Sequence, residues 1–229
     1  MIGSRAASSP ATSTLTHVQW SVFEQIDPDE VRQLLRLARR RRFRKGDSVI
    51  REGDPADSLH LIDSGYVSVR VTTPGGDVAT LQMLGPGGHF GDLVMIAGDR
   101  RSATVTAASP LETLELRYGD LEQFRRQHLA FEQALLVTLA QQLRSTSASL
   151  LESMYLPAAT RIARRLDDLR TLYDTDQIPI TQDDLAGLSG ATRQTVNQVL
   201  TDLKDRSIVE LGRGKVTVLD PAGLERAMR

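Results

Sequence analysis

The run Phe90-Gly91-Asp92-Leu93-Val94-Met95-Ile96-Ala97-Gly98-Asp99-Arg100-Arg101-Ser102-Ala103-Thr104 decides how the rest of the chain is read. An acid opens it, an arginine closes it, and glycines lie on both sides. Gly91 has no Cβ and lets backbone approach closely. The Asp92 carboxylate can accept a hydrogen bond from a hydroxyl, and Arg101 offers a planar, permanently charged fork suited to phosphate. Backbone N–H groups near Ser102 can complete an anion-binding concavity. Together these residues suit one small ligand that carries both a sugar hydroxyl and a phosphate.

The sequence around this run is β-rich. From Phe43 to Arg117 short alternating segments recur at 48–50, 59–62, 66–71, 79–84, 104–107 and 112–116, separated by turns such as Gly53-Asp54-Pro55 and Pro74-Gly75-Gly76-Asp77. That pattern predicts an antiparallel barrel or jelly roll. The run 90–104 is its one non-strand interruption, which places a site at the barrel mouth. Upstream, apolar residues at helical spacing over 18–37 break at Asp27-Pro28, and Pro28 suits the start of a second short helix. The arginines between Arg36 and Lys45 read as a solvated helix end leading into a strand rather than a nucleic-acid patch.

Tyr118 to Met154 is free of proline and helical in composition. Leu136, Leu139, Leu143, Thr146 and Leu150 follow 3-4-3-4 spacing, the seam of a two-stranded coiled coil, so a parallel homodimer is expected. Pro157 breaks this helix and marks a hinge. Ala158 to Leu172 is amphipathic through Ile162, Leu166 and Leu169. Thr181 with Asp184 then forms a capping box, Gly190 permits a tight turn, and Thr192 caps a second helix anchored by Val196, Val199, Leu200 and Leu203. This is a helix-turn-helix. Arg193, Gln194, Asn197 and Gln198 fall on its second helix. The N-terminal, outward part of that helix makes major-groove contacts, where Arg pairs with guanine and Gln with adenine. Thr192, Thr195, Lys204 and Arg206 are candidates for phosphate contacts. Arg213 and Lys215 lie in a hairpin wing near the DNA backbone.

The run 90–104 resembles the phosphate-binding cassette of cyclic-nucleotide-binding domains, whose usual form is Gly-Glu-Leu, a short connection, then Arg-Ser/Thr/Ala-Ala. Gly91, Leu93, Arg101, Ser102 and Ala103 match, while Asp92 stands where Glu is usual and its carboxylate is one methylene further from a ribose 2′-hydroxyl. With its C-terminal region, the chain resembles the cyclic-AMP receptor protein/FNR family of bacterial transcription regulators from about Thr16 to the end. The resemblance implies an α+β architecture in four parts: a disordered tail over 1–16, a cyclic-nucleotide-binding β-roll over 17–117, a dimerisation helix over 118–156 and a winged helix-turn-helix over 157–229. It implies cyclic AMP as the allosteric ligand, held by Gly91, Asp92, Leu93, Arg101 and Ser102. In the family two adjacent hydroxyl residues of the dimer helix, one from each subunit, contact adenine, and Thr146 and Ser147 stand at those positions. The further partners implied are a pseudo-palindromic duplex and RNA polymerase. The receptor protein has Glu and Arg where this chain has Gln194 and Gln198, so a different operator is expected.

Composition narrows the alternatives. The 229 residues are 40% hydrophobic and carry 28 basic against 29 acidic side chains, so any DNA contact must come from a local patch. No apolar run approaches the ~20 residues of a membrane span, and Met1 to Thr16 lacks the apolar core of a signal peptide. A cytoplasmic protein is expected. Cysteine is absent, which excludes disulfides and a cysteine-held iron–sulfur cluster. His17, His60, His89 and His128 form no metal-ligand pattern, and His89 reads as a loop or rim residue. An enzyme of the cupin type would need clustered histidines. The remaining rival is a regulator of the same architecture that acts constitutively or answers a different trigger.

Overall fold

A computed structural model describes residues 18, 20–24, 26–92 and 100–229. The tail read over 1–16 and the ligand candidate Leu93 lie outside the described residues. Helix α1 (Pro28–Leu35) begins as the proline predicts, with the Asp27 carboxylate accepting the Asp29 N–H at 2.8 Å. Eight strands follow: β1 (Arg39–Phe43), β2 (Ser48–Ile50), β3 (Ser58–Ser64), β4 (Val67–Thr72), β5 (Val78–Leu84), β6 (His89–Phe90), β7 (Thr104–Ala107) and β8 (Leu111–Arg117). They form two four-stranded sheets, ordered β1-β8-β3-β6 and β2-β7-β4-β5. Alternate residues of both sheets, among them Ile50, Ile62, Val67, Phe90, Val105 and Leu111, meet in one buried cluster. This is the β-roll the turn spacing predicts.

The arginine run forms the edge strand β1 from Arg39 onward. It lies antiparallel to β8, and its charges are met by acids: Arg40 by Asp63 and Glu112, Arg42 by Glu112 at 2.8 Å, and Arg41 by Glu115 at 3.8 Å. A charged edge strand resists pairing with other chains, and here the acids of the roll already answer the arginines.

The long helical stretch is divided. Helix α2 (Tyr118–Gln127) and helix α3 (Leu129–Tyr155) are separated at His128, which has extended backbone. Burial explains the division. Phe124, Phe131 and Leu135 turn inward against Trp20, Phe23 and Leu34 in a second core, so α2 and the start of α3 must bend around the roll. Beyond Leu135 the long helix leaves this core.

The C-terminal part comprises α4 (Ala158–Tyr173), β9 (Gln177–Ile178), α5 (Gln182–Ser189), α6 (Arg193–Asp205), β10 (Val209–Gly212), β11 (Lys215–Val218) and α7 (Pro221–Ala227). Ile162, Leu166, Leu185, Val196, Leu200 and Leu203 fill its core. The wing is a three-stranded sheet, β10-β11-β9, with β9 an addition that no sequence signal announces.

This unit rests on the roll through α5 and β5. The Asp184 carboxylate accepts from Arg70 and from Thr80 Oγ1, each at 2.8 Å. Gly187 lies against the Thr80 backbone so closely that a Cβ would fall 2.5 Å from the Thr80 nitrogen. Met83 of β5 is buried in the C-terminal core, and the Tyr66 and Tyr173 rings meet at 4.2 Å. Among the described residues no helix is long and apolar enough to cross a membrane.

Candidate functional site

Arg101 is the centre of the cassette, and local backbone fixes it. Its N–H donates to Asp54 O and its carbonyl accepts from Gly53 N–H, both at 2.9 Å, so the turn before β3 holds the arginine in place. The side chain is only 6% exposed. Its guanidinium donates to Ser58 Oγ at 3.1 Å and, over 3.4 Å, to Gly91 O and Asp57 Oδ1. It also lies 6.0 Å from the centre of the Tyr118 ring, whose hydroxyl donates to Gly91 O. A buried cation met by neutral oxygens and, at 3.4 Å, by a single carboxylate whose own side chain is exposed is poised for an anion, because burial strengthens every charge interaction it makes.

Gly91 is required for two reasons. Its φ is +94°, and a Cβ there would stand 2.7 Å from Arg101 Nη1 and 2.9 Å from Ser58 O. Any larger residue strains the backbone and displaces the guanidinium together.

Gly91, Asp92, Arg101, Ser102 and Ala103 line a cleft of about 1060 Å³, and Thr146 faces them across it from α3. Two motifs more than forty residues apart in sequence therefore border one cleft, and the cleft has room for a nucleotide. Ser147 is exposed and does not line it. Sequence reading missed Ser58 and Tyr118 as supports of Arg101, and missed Gln142 and Ser145, which line the α3 wall. Their signal is weak, since a lone Ser or Gln on a helix surface carries no pattern.

Two histidines adjoin the site. His60 stacks on Phe90 at 5.0 Å and bonds Thr113 Oγ1 at 3.1 Å through Nδ1. Burial lowers its pKa to about 4, and the charges of Arg101 and Arg41 act in the same direction. His89 points Nε2 at Asp92 Oδ2, 3.5 Å away.

The other candidate surface is on the helix-turn-helix. Thr181 caps α5 by accepting the Asp184 N–H at 3.1 Å, Gly190 turns the chain at φ +59°, and Thr192 caps α6 by accepting the Thr195 N–H at 3.1 Å. Thr192, Arg193, Gln194, Asn197, Gln198 and Lys204 are exposed, and Thr195 is half-buried. Arg193 is 3.4 Å from Asp183, and Asn197 accepts from Gln182 at 3.3 Å. Arg213 and Lys215 are exposed on the wing, and Lys215 lines, with Arg193, a groove of about 390 Å³. Of the residues expected to touch DNA, the structure thus brings Arg193 and Lys215 to one groove.

Comparison with known proteins agrees with this arrangement. Residues 40–128 match the cyclic nucleotide-binding domain family, and residues 160–227 match the Crp-like helix-turn-helix domain family. The chain is 32% identical over 204 residues to the cyclic AMP receptor protein of Thermus thermophilus, covering 89% of this chain and 94% of that one. It is 27% identical over 215 residues to a CRP-like cAMP-activated global transcriptional regulator of Mycobacterium tuberculosis, covering 91% and 96%. Among solved structures, the c-di-GMP responsive global regulator CLP of Xanthomonas campestris superimposes with a TM-score of 0.73 at 25% identity, covering 84% and 99%.

Proposed function

The chain belongs to the cyclic-AMP receptor protein/FNR family of transcription regulators, and from that membership we propose that it is a homodimer whose DNA binding is gated by cyclic AMP. It is a DNA-binding regulator and not an enzyme. The observation that carries the gating is the buried, weakly compensated Arg101 facing Asp92 and Thr146 across one cleft. Arg101 and Ser102 take the cyclic phosphate, Gly91 leaves space for the guanidinium, and Asp92 takes the ribose 2′-hydroxyl. Thr146 takes the adenine edge, because a hydroxyl both donates and accepts. Ser147, turned out of the cleft of its own chain, serves the cleft of a second copy.

Exposure along α3 supports the second copy. Leu136, Leu143 and Leu150 are 65%, 68% and 60% exposed in the single chain, on the stripe where a coiled-coil partner packs. Two such copies present two α6 helices to half-sites about one DNA turn (~34 Å) apart. Arg193, Gln194 and Gln198 read bases. Thr192, Thr195, Asn197, Lys204, Arg213 and Lys215 hold the backbone around them. RNA polymerase is the partner through which such a dimer acts on transcription, in the cytoplasm.

Calorimetric titration with cyclic AMP, beside an Arg101→Gln variant whose circular dichroism matches the wild type, tests the gate. Micromolar binding that disappears in the variant supports it. Heat with cyclic di-GMP and none with cyclic AMP supports the second reading, a different effector, which Asp92 in place of Glu and the CLP likeness favour.

A further inference from the structure

Asp92 raises a geometric problem that the family cassette does not have. A carboxylate one methylene shorter than Glu must be aimed more closely if it is to meet a sugar hydroxyl, because the two side-chain torsions give it little reach. The neighbouring strand supplies an aiming group. His89 sits three residues earlier on β6, with its backbone held opposite Leu61 of β3. Its side chain is 9% exposed, and Nε2 is 3.5 Å from Asp92 Oδ2. Both residues line the cleft with Arg101 and Thr146.

The other ring nitrogen shows what the contact costs. His89 Nδ1 is buried and has no hydrogen-bond partner among the described residues. A buried polar atom without a partner costs free energy, and the few found in native structures call for a reason. With no partner for Nδ1 among the described residues, Nε2 is the ring nitrogen that faces an acceptor, the Asp92 carboxylate. An apolar ring would fill the same space without the orphaned nitrogen. What histidine adds at this position is the hold on Asp92.

We propose that His89 is a positioning residue for nucleotide selectivity: its Nε2 fixes the Asp92 carboxylate at the ribose 2′-hydroxyl, so that the cleft distinguishes ribonucleotides from 2′-deoxyribonucleotides. This rests on the cyclic-nucleotide reading of the cleft. The residue works through Asp92, and its loss weakens only those ligands that carry the hydroxyl.

The test is a ligand cycle by calorimetry, with cyclic AMP and 2′-deoxy cyclic AMP titrated into wild type, His89→Phe and His89→Gln. The phenylalanine keeps the bulk, and the glutamine amide restores a donor near the Nε2 position. The wild type is expected to prefer the ribonucleotide about tenfold, the worth of roughly one hydrogen bond to a charged group. In His89→Phe that preference falls to about one through loss of cyclic AMP affinity alone, and His89→Gln recovers part of it. Equal weakening of both nucleotides in His89→Phe, or an unchanged preference, overturns the proposal and leaves the cleft's assignment standing. Failure of the wild type to bind either nucleotide overturns both.

Discussion

Gly187→Ala isolates the seam between α5 and β5. The added Cβ would stand 2.5 Å from Thr80 N and 3.0 Å from Thr80 O, and both are backbone atoms in a strand that cannot rotate away. Reaching ordinary contact near ~3.5 Å requires the helix to retreat by about 1 Å. That carries the two hydrogen bonds of Asp184, now 2.8 Å each, beyond their range. Each is charge-assisted, but Arg70 is partly exposed, so about 1 kcal/mol apiece is a fair worth. Loss of both, about 2 kcal/mol, raises the population of the opened seam roughly thirtyfold. The helix-turn-helix itself does not suffer, because Ala exceeds Gly in helix propensity by up to about 1 kcal/mol. Native-state hydrogen exchange read by mass spectrometry gives the answer: amides in 78–84 and 182–189 exchange faster, while those in 196–203 keep their protection. Arg70→Ala made on top of Gly187→Ala then adds little, since the bond it removes is already lost. Unchanged exchange in both segments would refute the seam. Equal acceleration in 196–203 would show unfolding of the unit instead of separation.

Two further outcomes follow from the same structure. His60 has its pKa lowered to about 4 from 6.5, so the folded protein resists a proton that the unfolded chain accepts. The stability this group confers is therefore complete above pH 6.5 and is lost as pH falls toward 4, by about 3 kcal/mol in all. His60→Asn, which keeps a donor near Thr113, flattens the difference in urea midpoints between pH 7 and pH 4.5, and parallel profiles for the two proteins would count against it. On α3, Leu143→Ala removes one exposed leucine from each copy. At roughly 1.5–3 kcal/mol per buried leucine, the dimer dissociation constant rises by at least a hundredfold in sedimentation equilibrium, and no change would place the subunit contact elsewhere.

What could be read directly was what is local. Thr181, Gly190 and Thr192 act within four residues of themselves, and each does in the structure what its position in the sequence predicts. Gly91 and Arg101 are ten residues apart and belong to one motif. The misreadings involve distance. Asp184 reads as a capping-box residue, and it does accept the Thr181 hydroxyl at 2.6 Å, yet the same carboxylate is held by Arg70 and Thr80 more than a hundred residues away. Burial acts to raise its pKa, and the bonds from Thr181 and Thr80 and the charge of Arg70 outweigh that and hold it below the usual carboxylate range. The break at His128 carries no proline or glycine. It follows from where Phe124 and Phe131 are buried, which only the packed roll decides.

The same distances bear on how a cleft could control a DNA reader. The α3 wall runs from Thr146 beside the cassette to Glu152, and there the contacts change character. Glu152 accepts from Arg164 at 2.8 Å and also pairs with Arg165, while Arg161 donates to Leu156 O at 2.6 Å, Ser189 O at 2.8 Å and Gly190 O at 3.0 Å. One guanidinium thus ties the end of the long helix to the turn between α5 and α6. Ionic and backbone contacts of this kind exchange partners more readily than a close-packed apolar core does. The α5–β5 seam, by contrast, carries the buried Met83 and the close approach of Gly187. A turn of α3 that leaves α5 on β5 must break Arg161's hold at one end, whereas a turn that keeps Arg161 whole must lift α5 from β5. On the proposed gating, a turn of α3 would therefore exchange one set of contacts for the other. Under the proposed function, a ligand held between Arg101 and Thr146 would bias such an exchange only by its difference in affinity for the two sets of contacts.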